Sequence, residues 1–180
     1  MTQNQLALLI SEAVVRDDPD VRAILERIAK WQHLFSPGPQ PYTLTGYEDL
    51  YVQGADDLIA YDNYAERDTK WFGFATYRRI WEREINTNFP GFIMNLIEVD
   101  RVEVSGDLAW TAFTWYGSII TPDGAAYPAQ HSTHGWRRVD GVWKIAHEHL
   151  TSGVKYEGVI LETEHRSGQG PNAYQAYEAA

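Results

Sequence analysis

Two short stretches carry side chains whose types and spacing could do acid–base chemistry. In DLIAYDNY, residues 57–64, loose alternation puts Leu58, Ala60, Asp62 and Tyr64 on one face of an expected strand, so Asp62 lies on a largely apolar surface. Apolar walls desolvate a carboxylate's charged form and make it a proton acceptor or donor near neutrality. A carboxylate satisfied at a strand end by backbone N–H groups or an arginine is the competing reading. In QHSTHGW, Gln130, Ser132, His134 and Trp136 share one face, while His131, Thr133 and Gly135 share the other. His134 could serve as acid, base or hydrogen-bond donor, or sit satisfied between strands.

What His134 faces depends on the turn at Asp140-Gly141 in RRVDGVWKIAHEHL. A two-residue loop puts His147 opposite His134 and His149 opposite Ser132, and crowds three imidazoles together in a way that could mimic a metal site. A three-residue loop with Gly141 in a left-handed bulge shifts the register by one and puts Glu148 opposite His134. On a helical stripe further upstream, Tyr77, Arg78 and Trp81 are three and four apart. They could look at one cavity wall, an aromatic surface with one guanidinium that would hold a phenol, phenolate or carboxylate. Arg78 beside Arg79, Glu82 and Arg83 could equally be a solvated face.

The elements that must position these groups follow from periodicity and punctuation. DVRAILERIAKWQHLF, residues 20–35, reads as an amphipathic helix with Asp20 as its N-cap, stopped by SPGPQP. FGFATYRRIWEREINTNF reads as a second helix, with Phe74, Tyr77, Arg78, Trp81 and Ile85 on one stripe. Beyond Pro90-Gly91, four strands separated by Ser105-Gly106-Asp107, Pro122-Asp123-Gly124 and Asp140-Gly141 make an antiparallel meander. In the tail, KYEGVILE is expected as an extra strand and SGQGPNAYQAYEAA as a mobile end.

With 180 residues, one domain with a sizeable core is expected. The absence of cysteine excludes disulfides, thiolate nucleophiles and thiolate metal sites. A formal net charge of −10 opposes binding to nucleic acid or anionic membrane. The first twenty residues show neither a basic export region nor a spanning apolar run, so a cytoplasmic location is expected. Seven Trp and eleven Tyr suit a core, an interface or a ligand pocket.

The helix FATYRRIW, the strand opening VEVSGDLAW and the closing hairpin RRVDGVWKIAHEHLTS together resemble the SnoaL-like branch of the nuclear transport factor two-like superfamily, which includes ketosteroid isomerase and scytalone dehydratase. The resemblance covers residues 20–152, leaving extensions at 1–19 and 153–180. It implies an α+β cone, a curved antiparallel sheet capped by N-terminal helices around an apolar cavity with a few inward polar groups. It places Asp62 where ketosteroid isomerase has its general base, and turns the His134 face inward. It also favours the bulged hairpin, with His134 and Glu148 paired beside Trp115. Catalytic roles for Asp62, His134 and Glu148 follow, with Tyr77, Arg78, Trp81, Trp115 and Ser132 binding substrate.

The family is usually free of cofactors and metals, and a homodimer is its usual assembly. A cofactor-independent lyase, isomerase or dehydratase on a bulky aromatic or polycyclic small molecule is therefore expected, a deformylating lyase on lignin-derived diaryl compounds being one subclass. The alternative is a non-catalytic binding or oligomerisation module, like the kinase association domains that share the fold. Fold alone does not decide between them.

Overall fold

The computed structural model describes residues 7–36, 41–62, 70–88, 91–119, 130–151 and 174–177. The expected turn at 122–124, the first residues of its following strand and the run KYEGVILE lie outside them.

The first helix, α1, runs Pro19–Leu34. Its N-cap is Asp18 rather than Asp20: with Pro19 at the first helical position, Asp18 takes the Asp20 and Val21 N–H groups on its carboxylate. Asp20 is thereby free to reach across the molecule. It accepts from Arg138 Nη2 at 2.6 Å and from Trp143 Nε1 at 3.2 Å, and Arg138 lies over the Trp143 ring. Val21, Ile24, Leu25, Ile28 and Trp31 form the buried stripe. The second helix, α2 (Phe74–Asn88), buries Phe74, Tyr77, Ile80, Trp81, Glu84 and Ile85. Among the described residues no helix is long and apolar enough to cross a membrane.

Both helices pack on one face of an eight-stranded mixed sheet, made of β1 (Ala7–Ser11), β2 (Ile59–Asp62), β3 (Lys70–Phe72), β4 (Phe92–Ser105), β5 (Leu108–Ile119), β6 (Gln130–Val139), β7 (Val142–Leu150) and β8 (Tyr174–Tyr177). The spatial order is β3-β2-β7-β6-β5-β4-β1-β8. The strands β4 to β7 are the expected antiparallel meander. Two parallel pairings join it, β2 with β7 and β1 with β4, so the sheet is mixed rather than antiparallel throughout. β1 comes from the presumed N-terminal extension, and β8 lies inside the segment expected to be a mobile end, where it pairs antiparallel with β1.

Register irregularities at Met94/Leu96 and Val99/Arg101 in β4, and opposite Gly135/Trp136 in β7, bend and twist the sheet around the helices. The concave face carries the core, while Phe72 and Trp110 are exposed at the surface. Gly117 has no side chain because a Cβ there would lie 2.6 Å from the Phe92 ring.

The Asp20 clamp predicts a pH signature. Hydrogen bonds from Arg138 and then Trp143 hold the Asp20 carboxyl below its ordinary value of 3.8. A carboxyl with a lowered folded-state pKa contributes stability that is present above 3.8 and lost as pH falls through the folded value. Asp20→Asn should therefore lose stability at pH 7 but little further at pH 3, so the gap between variant and wild-type urea midpoints narrows on acidification.

Candidate functional site

A single carboxylate organises the inner face. Glu148, on β7, is 1% exposed and lies in a core otherwise dominated by aromatic and aliphatic side chains. Its Oε1 accepts from the Tyr77 hydroxyl at 2.5 Å, and that hydroxyl accepts in turn from Tyr51 at 3.1 Å. Its Oε2 accepts from Trp31 Nε1 at 3.1 Å and stands 3.2 Å from His134 Nε2. The imidazole is within ion-pairing distance but turned off the axis of a hydrogen bond, and its Nδ1 has no hydrogen-bond partner among the described residues. Trp31, Phe113 and Trp136 meet the His134 ring edge to face, at centroid distances of 4.9, 4.8 and 5.5 Å.

The hairpin between β6 and β7 sets this pairing in a way that neither reading of the turn anticipated. Val139 pairs with Val142, and Asp140 and Gly141 both have positive φ (51° and 77°), the pattern of a two-residue type I′ turn. That turn alone would put His147 opposite His134. One extra residue, Ala146, between the Trp136↔Ile145 and Gly135↔His147 pairs, shifts the register so that Glu148 faces His134. His147 and His149 consequently stand on the outer face, where Tyr61 meets both rings edge to face. Gly135 accommodates this, since a Cβ there would lie 3.1 Å from His147 Cβ. No group of three histidine, aspartate or glutamate side chains among the described residues is arranged to hold a metal ion.

The other expected site residues divide. Asp62 is 3% exposed on the concave face, its backbone paired with Leu150, one inward position along from the Ala60↔Glu148 pair. Ser132 is on the same face, opposite Leu150, and accepts from Trp115 Nε1 at 2.9 Å. Trp115 thus accompanies Ser132 and Phe92, and the residue paired with His134 on β5 is Thr111. Trp81 is buried against Phe35 and Trp71. Arg78, by contrast, turns to the protein surface, where it pairs with Glu82 at 2.9 Å and Glu48 at 3.5 Å and donates to Thr45. The i, i+4 glutamate competes successfully for the guanidinium, and the expected aromatic wall carries no arginine at that position.

Trp31 and Tyr51 were missed as site residues. Trp31 stands on the apolar stripe of α1 and reads as core. A fully buried indole N–H needs an acceptor, however, and that need was the available signal. Burial, followed by the nearby Glu148 charge, pushes the Tyr51 and Tyr77 hydroxyls well above their usual range, so both remain donors. Tyr77→Phe removes a bond to a charged acceptor and should cost about 1.5–3 kcal/mol, whereas Tyr51→Phe, one step removed, should cost about 0.5–1.5 kcal/mol. Urea unfolding of the two variants side by side checks the order.

Helices laid across the concave face of a bent, open sheet, with polar groups converging inside, define the cystatin-like, nuclear transport factor 2-like class. Within it, the SnoaL-like domain family matches residues 42–155, and the chain belongs to that family. Among solved structures, an NTF2-like protein of unknown function from Pseudomonas putida KT2440 is 21% identical, with 76% of this chain and 88% of that one covered at a TM-score of 0.57. A protein with a cystatin-like fold from Caulobacter vibrioides is 18% identical over 73% and 88%, at 0.53. A putative calcium/calmodulin-dependent protein kinase type II association domain from Thiobacillus denitrificans is 14% identical over 75% and 94%, at 0.55. These likenesses establish the fold. No curated protein matches the chain.

Proposed function

We propose that this protein is a cofactor-independent acid–base enzyme, a lyase, isomerase or dehydratase acting on a flat aromatic or polycyclic small molecule held against the concave face. The observation that carries the reading is the gathering of Tyr77, Trp31 and His134 around the buried Glu148 carboxylate. Burying a carboxylate costs several kcal/mol, and apolar side chains of similar volume often stabilise a core as well or better. Such a cluster therefore needs a reason beyond stability, and proton transfer supplies one.

In this reading Asp62 takes a proton from the substrate, and the His134–Glu148 pair returns one. Because Tyr77 is already bound to Glu148, it positions that carboxylate rather than holding the substrate oxygen, and Arg78 takes no part. Trp115 and Ser132 line the same face beside Asp62. Deformylation of a lignin-derived diaryl compound is one reaction that this machinery could run.

The non-catalytic module is favoured by a different feature: Glu148 already has two good donors inside a closed pack, as a purely structural cluster would. Incubating the purified protein with diaryl, phenolic and steroid-like compounds, while following ultraviolet absorbance and formaldehyde release, separates the two. Turnover of any member supports the enzyme, and binding without turnover supports the module.

A further inference from the structure

The outer face of the sheet, turned away from Glu148, is not level. Ala112 on β5 stands between Trp110 and Thr114 on that face, and its row continues through Thr133 on β6 to His149 on β7. On its other side, Val99 pairs with Phe113 and Arg101 with Ala112, so Asp100 is the extra residue of a bulge in β4. A methyl group between larger side chains, next to a bulge, leaves a hollow of about 210 Å³ that is open to solvent. Asp100, Ala112, His131, Thr133, His149 and Thr151 line it.

The walls are fixed in place. Thr151 ties the end of β7 to β6: its N–H and its hydroxyl both donate to the His131 carbonyl, at 3.0 and 2.8 Å, and its hydroxyl accepts from the His131 N–H at 3.2 Å. The His131 ring is anchored at Nδ1, 3.1 Å from the buried Thr114 hydroxyl, and the His149 ring meets Tyr61 edge to face. Both histidines are nevertheless exposed, so a ligand can reach them from solvent.

The groups around the hollow restrict what it can hold. No lysine or arginine is among its described lining residues, so a phosphate or carboxylate would meet Asp100 with no countercharge. A hydrocarbon ring would take the carboxylate and the imidazoles out of water and give them no partner. An ammonium could serve Asp100 but has no lone pair for an imidazole N–H. A polyol matches every part of the surface. Its hydroxyls donate to Asp100, whose carboxylate has about four acceptor positions, and exchange hydrogen bonds with imidazoles, which donate at one nitrogen and accept at the other. Its C–H face rests on the Ala112 methyl. A cavity of about 150 Å³ already admits benzene, so this one admits a six-membered ring with its hydroxyls.

We infer that this hollow is a second ligand site, one that takes a compact, uncharged polyol of sugar-ring size. It lies on the opposite face of the sheet from the site proposed above and does not depend on that proposal.

Saturation-transfer NMR of the full chain with xylose, glucose and myo-inositol tests it. Cyclohexanecarboxylate, cyclohexylamine and cyclohexanol serve as an anionic ring, a cationic ring and a ring with a single hydroxyl. At least one polyol should bind, and at least about tenfold more tightly than each comparator. Ala112→Leu fills the floor from an outward position, so it should abolish binding while the urea midpoint stays that of wild type. His149→Ala should weaken binding by about five- to tenfold, the loss of one hydrogen bond, and at an exposed position it keeps the test valid should Ala112→Leu fail to fold. Asp62→Asn should bind polyols as wild type does. The inference is overturned by absence of polyol binding, by wild-type affinity in the outer-face variants, or by a comparator bound as tightly as the best polyol. Loss of binding in Asp62→Asn would assign the polyol to the concave face and overturn it as well.

Discussion

Glu148→Ala is expected to lower the free energy of unfolding by about 3–5 kcal/mol, the cost of leaving two buried donors without an acceptor together with that of the cavity. The substitution strands the Tyr77 hydroxyl and the Trp31 indole N–H among buried side chains, and leaves a void where the side chain was. In a chain of this size that corresponds to a melting temperature lower by about 10 °C. Glu148→Gln keeps the shape and an acceptor oxygen, and should cost only about 1–2 kcal/mol. The urea midpoint of both variants, with the slope unchanged, is the measurement. A loss below about 1 kcal/mol for Glu148→Ala would mean that the cluster is not a connected unit.

With Asp62 as the general base proposed above, Asp62→Asn is expected to lower kcat by about 10²- to 10⁴-fold, the usual contribution of such a group. The replacement is isosteric and lies at the end of a short strand held by β7 on one side and β3 on the other. Substrate affinity should therefore change little while the rate collapses, which in kinetic terms is the loss of a group that acts in the transition state. A parallel fall in affinity and rate would instead assign Asp62 to binding.

Much of this arrangement was legible in the residue pattern. The stripe of α1 is visible in the spacing of Val21, Ile24, Leu25, Ile28 and Trp31, and the buried parity of β6 in Gln130, Ser132, His134 and Trp136. The start of α1 moved because Pro19 fits the first helical position and hands the cap to Asp18. The hairpin register is more instructive. The turn chemistry points to the two-residue loop that forms, yet the inward apolar positions of β7 are odd at Trp143 and Ile145 and even at Leu150. Only an extra residue between them reconciles the two parities, and Ala146 is that residue. Arg78 was harder: a helical stripe locates a Cβ, but a long side chain at its edge goes to whichever carboxylate is nearer, here Glu82. The convergence of Trp31 and Tyr51 on Glu148 was not legible, because it joins elements over sequence separations of 117 residues for Trp31 and, through Tyr77, 71 residues. Local periodicity carries no information at that range.

The most direct test of acid–base chemistry on the concave face does not require the natural reaction to be known. The tightest-binding member of the compound panel is incubated with protein in D2O, and loss of its most acidic C–H signal is followed by proton NMR. The account predicts exchange accelerated well beyond the buffer rate by the wild-type protein and abolished in Asp62→Asn. Exchange by the bound compound no faster than in buffer would contradict it and leave the protein a binding module.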